Sequence, residues 1–473
     1  MNDELSELLM ELSGRLVPFG QEHLIAFWDD LDTAKRNSLA DEIRTIDFAL
    51  VDRLYRGRHE QADIRLLADR AGPPPAFRLG ARQNRFAAEE ARKRGVEALT
   101  AGRVGVIMVA GGQGTRLGFD HPKGLFPIGP VSGNSLLEIH IEKIVAQSRR
   151  HEVRIPLYLM TSPGTHDETL EFLREHDRFG LPPEDLRVFC QGTMPAVDAA
   201  TGKILLAERG RIALSPDGHG GMLAALARSG ALGDIRSRNI EHLFYLQVDN
   251  PLVDTCAPEF IGYHLLDDSE FSTQVIAKRD PLEKVGNVVE IDGKLRVIEY
   301  SDLPDEIARR RKADGSLEIW AGSIAVHVME TKLLERMVDR AEALPFHVAE
   351  KKMVHVDSAG KRVTPAEPNA IKFERFIFDL MPWADRAIVV EVDPAQHFAP
   401  LKNASSKKQD TPETVKAQMV AEHTDWLCQA GAEVAEGVAV EISPLFALDA
   451  GELAGKIPPG TRVIEPTYFC QEW

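Results

Sequence analysis

Leu39, Ile43, Ile46 and Leu50 recur at i, i+4, i+7 and i+11, with charged residues on the opposite side. That is the spacing of a helix with one face on a core. Residues 1–98 read as a helical N-terminal lobe. Pro73-Pro74-Pro75 interrupt it, because proline lacks the N–H and clashes with a preceding turn. From residue 99 the pattern changes. Short apolar runs at Val104–Val109, Ile155–Met160, His242–Val248, Thr273–Ala277, Val288–Ile291 and Ala387–Val392 predict buried strands. Ser135–Ser148, with Leu136, Ile139, Ile144 and Val145 apolar, predicts a helix between the first two. This alternation implies an α/β fold over 99–390. Its sheet is doubly wound and mostly parallel, with ligands at the carboxyl ends of the strands. Residues 391–473 hold a loop rich in Lys, Ser and Asn, a helix at Glu413–Ala430 and a Pro/Gly-rich end, and form a C-terminal domain in this reading. No internal repeat is visible.

A chain of 473 residues has room for two or three domains. Its net charge of −17 excludes a general nucleic-acid surface and gives weight to its few clustered cations. The four cysteines are scattered, with no C-x-x-C pair, which argues against a zinc or disulfide framework and suits a reducing cytoplasm. The acidic start MNDELSELLMEL is not expected to act as a signal peptide, and no apolar run reaches membrane-spanning length.

The first predicted strand empties into Gly111-Gly112-Gln113-Gly114-Thr115-Arg116-Leu117-Gly118, with Pro122-Lys123 close behind. Glycines after a strand let backbone N–H groups approach an anion, and Arg116 and Lys123 add two cations, so the loop suits a polyphosphate. It is not a Walker A loop, because no Gly-Lys-Ser/Thr follows at the required spacing. Nor is it a strict dinucleotide fingerprint, since Gly118 falls one residue late.

The string G-G-x-G-T-R-L-G followed by P-K resembles the signature of UTP-dependent nucleotidyltransferases. The resemblance continues through Gln191 in FCQGTMPAV, Gly218-His219-Gly220-Gly221, Asp249 in YLQVDNPLVD, Lys284-Val285-Gly286, Val297–Ser301, Ala321-Gly322-Ser323, Asn369–Pro382 and Phe398–Ala404. In order and spacing these resemble the UDP-N-acetylglucosamine (UDP-N-acetylhexosamine) pyrophosphorylases over roughly residues 100 to 450. The resemblance implies a glycosyltransferase-A-like sheet and a reaction in which a sugar 1-phosphate attacks the α-phosphorus of UTP and pyrophosphate leaves. Such chemistry needs positioning and charge neutralisation more than a covalent nucleophile.

By that resemblance Arg116, Lys123 and Lys402 face the phosphates as the catalytic cations. Gly111, Gly112, Gln191 and Gly218 face the uracil and ribose, and Asp249 binds Mg²⁺, a hard ion suited to carboxylate and phosphate oxygens. Gly286, Glu299, His219 and Ser323 face the sugar. Taken alone, each of these residues has a plainer reading: a surface ion pair, a turn aspartate, a buried glutamine, an edge carboxylate. The last two sugar positions depart from the family, which usually has Asn at both. G-H-G at 218–220 is closer to UDP-glucose and broad UDP-sugar pyrophosphorylases. The expected substrates are UTP and a sugar 1-phosphate, N-acetylglucosamine 1-phosphate ahead of glucose 1-phosphate, with no nucleic acid or membrane partner. A nicotinamide-dependent oxidoreductase is disfavoured by Gly118 and Pro122-Lys123. A non-catalytic sensor is disfavoured by the retention of Arg116, Lys123 and Asp249.

Overall fold

A computed structural model describes residues 3–58, 67–81, 83–340 and 344–470. The chain divides into two compact units. The larger takes its described residues from Arg65–Cys190, Leu223–Ala341 and Phe378–Trp473, and the smaller from Met1–Ile64, Gln191–Met222 and Glu342–Ile377.

The larger unit is built on a ten-stranded sheet. Its strands are β1 (Ala76–Phe77), β2 (Val104–Val109), β3 (Leu157–Thr161), β4 (Leu186–Cys190), β5 (His242–Gln247), β6 (Phe271–Ala277), β7 (Gly286–Ile291), β8 (Lys294–Ile298), β9 (Ala321–Glu330) and β10 (Ala387–Glu391). The main path runs β1-β10-β6-β9-β5-β2-β3-β4, with the β7–β8 hairpin carried by β9. Pairs along β5-β2-β3-β4 and β1-β10-β6 are parallel, whereas β9 runs antiparallel to β5, β6 and β7. The mostly parallel α/β sheet expected from the sequence is therefore present, with one long antiparallel strand that the apolar pattern did not announce. Ala325 explains part of that miss. It sits at φ 57° within β9, and the pairing with β6 shifts register nearby, so the alternation that marks a strand breaks there.

The helix Leu136–Arg150 starts one residue after the predicted Ser135. Ser135 is its N-cap: its Oγ accepts the Glu138 N–H while the Glu138 carboxylate accepts the Ser135 N–H. Leu136, Leu137, Ile141 and Ile144 bury completely in the core above the sheet. A second pair of helices, Ala88–Thr100 and Pro258–Leu266, approaches to backbone contact. A Cβ on Gly262 would lie 1.6 Å from the Ala91 carbonyl oxygen, so no larger residue fits.

The described residues from 391 to 470 group with the sheet in the larger unit. Glu441, 3% exposed, accepts the N–H groups of Val131 and Ser132 and the Ser132 hydroxyl, tying this region to the loop after β2. The helix Pro412–Gln429 matches expectation to within a residue and packs Leu427 against Val440, Phe446 and Phe469.

In the smaller unit the helix expected through Leu39–Leu50 is two helices, Thr33–Thr45 and Phe48–Gly57. Asp47 causes the break: its carboxylate accepts the Leu50 N–H and caps the second helix, and Ile46 turns extended. Leu39, Ile43 and Ile46 still reach the core, with Leu12, Leu24, Trp28, Val197 and Phe373. Gln21 explains why 191–222 joins the N-terminal helices. Its side chain accepts from Ile204 N and donates to Gly202 O from a buried position. A three-stranded antiparallel sheet of Val197–Asp198, Ala370–Glu374 and His347–Lys351 completes this unit. Among the described residues, no helix is long and apolar enough to cross a membrane.

Candidate functional site

Strand order singles out one place in the larger unit. From β2 the chain winds outward through β3 and β4, then returns to place β5 on the other side of β2. Ligands of open α/β sheets bind beyond the carboxyl ends at such a reversal. Val109 and Gln247, the last residues of β2 and β5, are paired in register. The glycine loop follows one and Asp249 follows the other.

The loop is knitted by its own backbone. Gly114 N donates to His121 O, Lys123 N donates to Gly112 O, and the Ser162 hydroxyl donates to Gly111 O. Gly114 must be glycine, because a Cβ there would lie 2.6 Å from the Phe119 carbonyl oxygen. Gly118 closes the short turn Thr115–Leu117 at φ 74°. Gly112 and Arg116 lie exposed, and Arg116 makes no ion pair among the described residues. Lys123 reaches back across the loop: its Nζ donates to Asp249 Oδ2 at 3.3 Å, with side-chain exposures of 20% and 15%. Two residues 126 positions apart, chosen from separate motifs, therefore meet at the switch point.

Lys402 belongs to the same neighbourhood. Leu401 N donates to the Asp249 carbonyl, and Lys402 N donates to the Asp410 carbonyl. Lys402 Nζ lies 5.7 Å from the Phe398 ring centroid. The sequence reading passed over Asp410. Burial pushes its carboxyl above the usual range, Lys402 opposes that rise, and Asp249 and Glu283 add to it.

Three of the four residues expected to face the sugar also come together. Gly286 pairs in register with Ser323, and a Cβ on Gly286 would lie 3.5 Å from Glu299 Oε1 and 3.8 Å from Ser323 Cβ. Lys278 stands beside them, unsuspected from sequence. It is 7% exposed and donates to Asn287 Oδ1 at 2.5 Å and to Pro281 O. Burial pushes its pKa down to about 8, against the pull of Glu283 and Asp280. A lone Lys at the end of an apolar run carries no periodic signal, so only the packing reveals it.

Gln191, Gly218 and His219 belong to the smaller unit. Gln191 is buried. Gly218 sits at φ 85°, and a Cβ there would lie 2.4 Å from the Arg375 carbonyl oxygen. His219 Nδ1 accepts the Ile377 N–H at 3.2 Å, and its ring stacks on Phe376 at 5.1 Å between centroids. Enclosure holds its pKa down to about 4, with His347 adding to the effect.

Comparison with known proteins agrees with this geometry. A profile of the family described as UTP–glucose-1-phosphate uridylyltransferase matches residues 51–449. The UDP-N-acetylglucosamine pyrophosphorylase of Saccharomyces cerevisiae is 40% identical over 74% of this chain and 75% of its own length. The UDP-N-acetylhexosamine pyrophosphorylase-like protein 1 of Mus musculus is 34% identical over 98% of this chain and 91% of its own. The crystal structure of the Trypanosoma brucei UDP-N-acetylglucosamine pyrophosphorylase in complex with an inhibitor superposes with a TM-score of 0.81 at 25% identity, covering 98% of this chain and 99% of that one. Sheet order, loop and relatives together establish that this chain belongs to the UTP–glucose-1-phosphate uridylyltransferase family.

Proposed function

We propose that this protein is a nucleotidyltransferase that moves the uridylyl group of UTP onto N-acetylglucosamine 1-phosphate and releases pyrophosphate. The observation that carries the reading is the Lys123–Asp249 contact beneath the glycine loop, at the reversal of strand order between β2 and β5. A sugar phosphate oxygen attacks the α-phosphorus, so negative charge must be balanced on attacking, transferring and leaving oxygens at once. Lys123 supplies a compact cation at the α-phosphate. Arg116, exposed on its turn, offers a bidentate fork to the leaving pyrophosphate. Lys402, next to the Leu401 N–H that bonds the Asp249 carbonyl, adds a third cation.

Asp249 suits Mg²⁺, because that ion takes one or two carboxylates and completes its shell with water and substrate phosphates. The half-buried carboxylate beside Lys123, with Asp410 in reach of the same charges, is such a donor set. When bound, the ion would neutralise phosphate charge. Gly286, Glu299 and Ser323 form the sugar side. In the larger unit, the uracil and ribose fall to the Gly111-Gly112 backbone.

A second reading, glucose 1-phosphate or relaxed hexose 1-phosphate use, is favoured by Ser323 and His219, where the family usually has Asn. A serine hydroxyl is shorter than an asparagine amide and leaves space where an acetamide would be held. Pyrophosphate release with UTP against a panel of sugar 1-phosphates tests both. The first reading expects the highest kcat/KM with N-acetylglucosamine 1-phosphate; equal or higher kcat/KM with glucose 1-phosphate selects the second. Comparable rates with ATP in place of UTP would overturn both.

A further inference from the structure

At the opposite end of β5 from Asp249, two buried histidines and a carboxylate converge. His242 opens β5, Glu330 closes β9 directly across from it in register, and His264 projects from the helix Pro258–Leu266. One donor atom from each lies within 4.8 Å of the other two. We propose that His242, His264 and Glu330 form a binding site, distinct from the nucleotide site, for a divalent transition metal of the zinc type.

Hydrogen-bond direction supplies an independent argument. The Ser269 hydroxyl donates to the Phe271 carbonyl, and the Ser272 hydroxyl donates to Ser269 Oγ. With its proton committed, Ser272 Oγ accepts from His264, so the 2.7 Å contact at Nδ1 is an Nδ1–H donating. The proton on Nδ1 leaves Nε2 with a lone pair. Nε2 is buried without a hydrogen-bond partner, in a residue only 1% exposed. An imidazole fixed in one tautomer by an outer partner, with its other nitrogen bare, is how metal-ligating histidines are held.

His242 completes the pair. It is 4% exposed, and neither ring nitrogen has a hydrogen-bond partner. Its nearest acid is Glu241, whose Oε2 lies 3.7 Å from Nε2 but also receives Arg103 at 3.4 Å. Leaving such nitrogens unsatisfied in the interior is costly, and a bound cation would relieve it.

Glu330 is half-buried, and its carboxyl is held above the usual range by burial, with Glu270, Asp268 and Glu241 adding and Lys332 opposing. A dication relieves that crowding of carboxylates. Two imidazoles and one carboxylate are the donor set of borderline ions, whereas Mg²⁺ prefers oxygen alone. The site is not catalytic. Seven residue steps of strand and turn lead from His242 to Asp249, about 23 Å at roughly 3.3 Å per residue. Its effect is to clamp β5, β9 and the helix Pro258–Leu266.

Co²⁺ and Zn²⁺ titrations of the full-length protein, first stripped with chelator, test this. One equivalent of Co²⁺ should bind and give visible d–d bands of a low-coordinate site. Zn²⁺ should displace it, excess Mg²⁺ should not, and Zn²⁺ should raise the Tm by several degrees. Glu330→Gln and His242→Gln should each weaken binding at least tenfold while leaving Mg²⁺-supported turnover unchanged. Should His242→Gln fail to fold, Glu330→Gln, at a half-exposed strand end, decides alone. No Co²⁺ binding below about 100 µM, or an unchanged spectrum and stoichiometry in Glu330→Gln, would overturn the site and assign any bound ion to surface histidines.

Discussion

Two glycine-rich turns of this molecule look alike on paper and differ in the room left beside their glycines. Along Gly112–Gly118, Gly114 is crowded by its own chain, a Cβ on Gly118 would meet nothing within 4 Å, and Gly112 lies exposed, with nothing nearer to a Cβ there than Lys123 Cε at 4.0 Å. In Gly218–Gly221 the space is already filled. A Cβ on Gly220 would lie 2.6 Å from the Phe376 backbone nitrogen, and one on Gly221 would run into the Asp217 carboxylate. The first turn keeps side chains away so that something else can approach. The second keeps them away so that the Arg375–Phe376 backbone can. Glycine spacing alone therefore does not tell an open loop from a close-packed one; the atoms beside each missing Cβ do.

The sharpest way to break this contrast is Lys123→Ala. Removing a preorganised charge should lower kcat by about 10²–10³ in the pyrophosphate-release assay, while the urea unfolding midpoint stays near wild type. Near-normal turnover would strip the open loop of its role. Gly220→Ala should do the reverse, costing about 1–3 kcal/mol of stability by overpacking, read from the same unfolding curves. A Gly220→Ala protein as stable as wild type would mean that the second turn has slack.

His219→Asn with Ser323→Asn should then shift the kcat/KM ratio of N-acetylglucosamine 1-phosphate over glucose 1-phosphate upward by about five-fold or more, the worth of one substrate hydrogen bond. An unmoved ratio would show that neither position sets sugar choice. His219 also has a pH signature. Its folded pKa is about 4 against an unfolded 6.5, so between those values the unfolded chain holds the extra proton. Stability falls as pH drops through that window and carries no such penalty above it. The stability of His219→Asn should decline less steeply from pH 6.5 to 4 than that of wild type; identical slopes would place the imidazole in water. The smallest effect belongs to Gly112→Ala. Its unfolding free energy should stay within about 0.5 kcal/mol of wild type, while KM for UTP rises.

The Lys123–Asp249 pair was readable in the sequence because each residue sits in a local motif at the end of an apolar run. The strands β2 and β5 and the capped helix Leu136–Arg150 were readable for the same reason: periodicity and an N-cap are local properties. What escaped depends on partners distant in sequence. Asp47 splits one apparent helix because a carboxylate finds an N–H three residues on, and apolar spacing does not register that. Glu441 ties its own strand region to the loop after β2 through three hydrogen bonds that no composition shift foretells. Lys278 and Asp410 earn notice only through burial beside residues from other motifs.

The edge strand β1 pairs Ala76 with Val389 in β10, more than three hundred residues downstream. At about 5–20 residues per second of synthesis, that partner leaves the ribosome roughly 15–60 s after β1 does. Through this interval one border of the nascent sheet has no mate. A two-residue strand led in by Pro73-Pro74-Pro75 offers a stray chain almost no row of N–H groups to copy. The brevity of β1 thus protects the newborn polypeptide from association while it waits for its own far end.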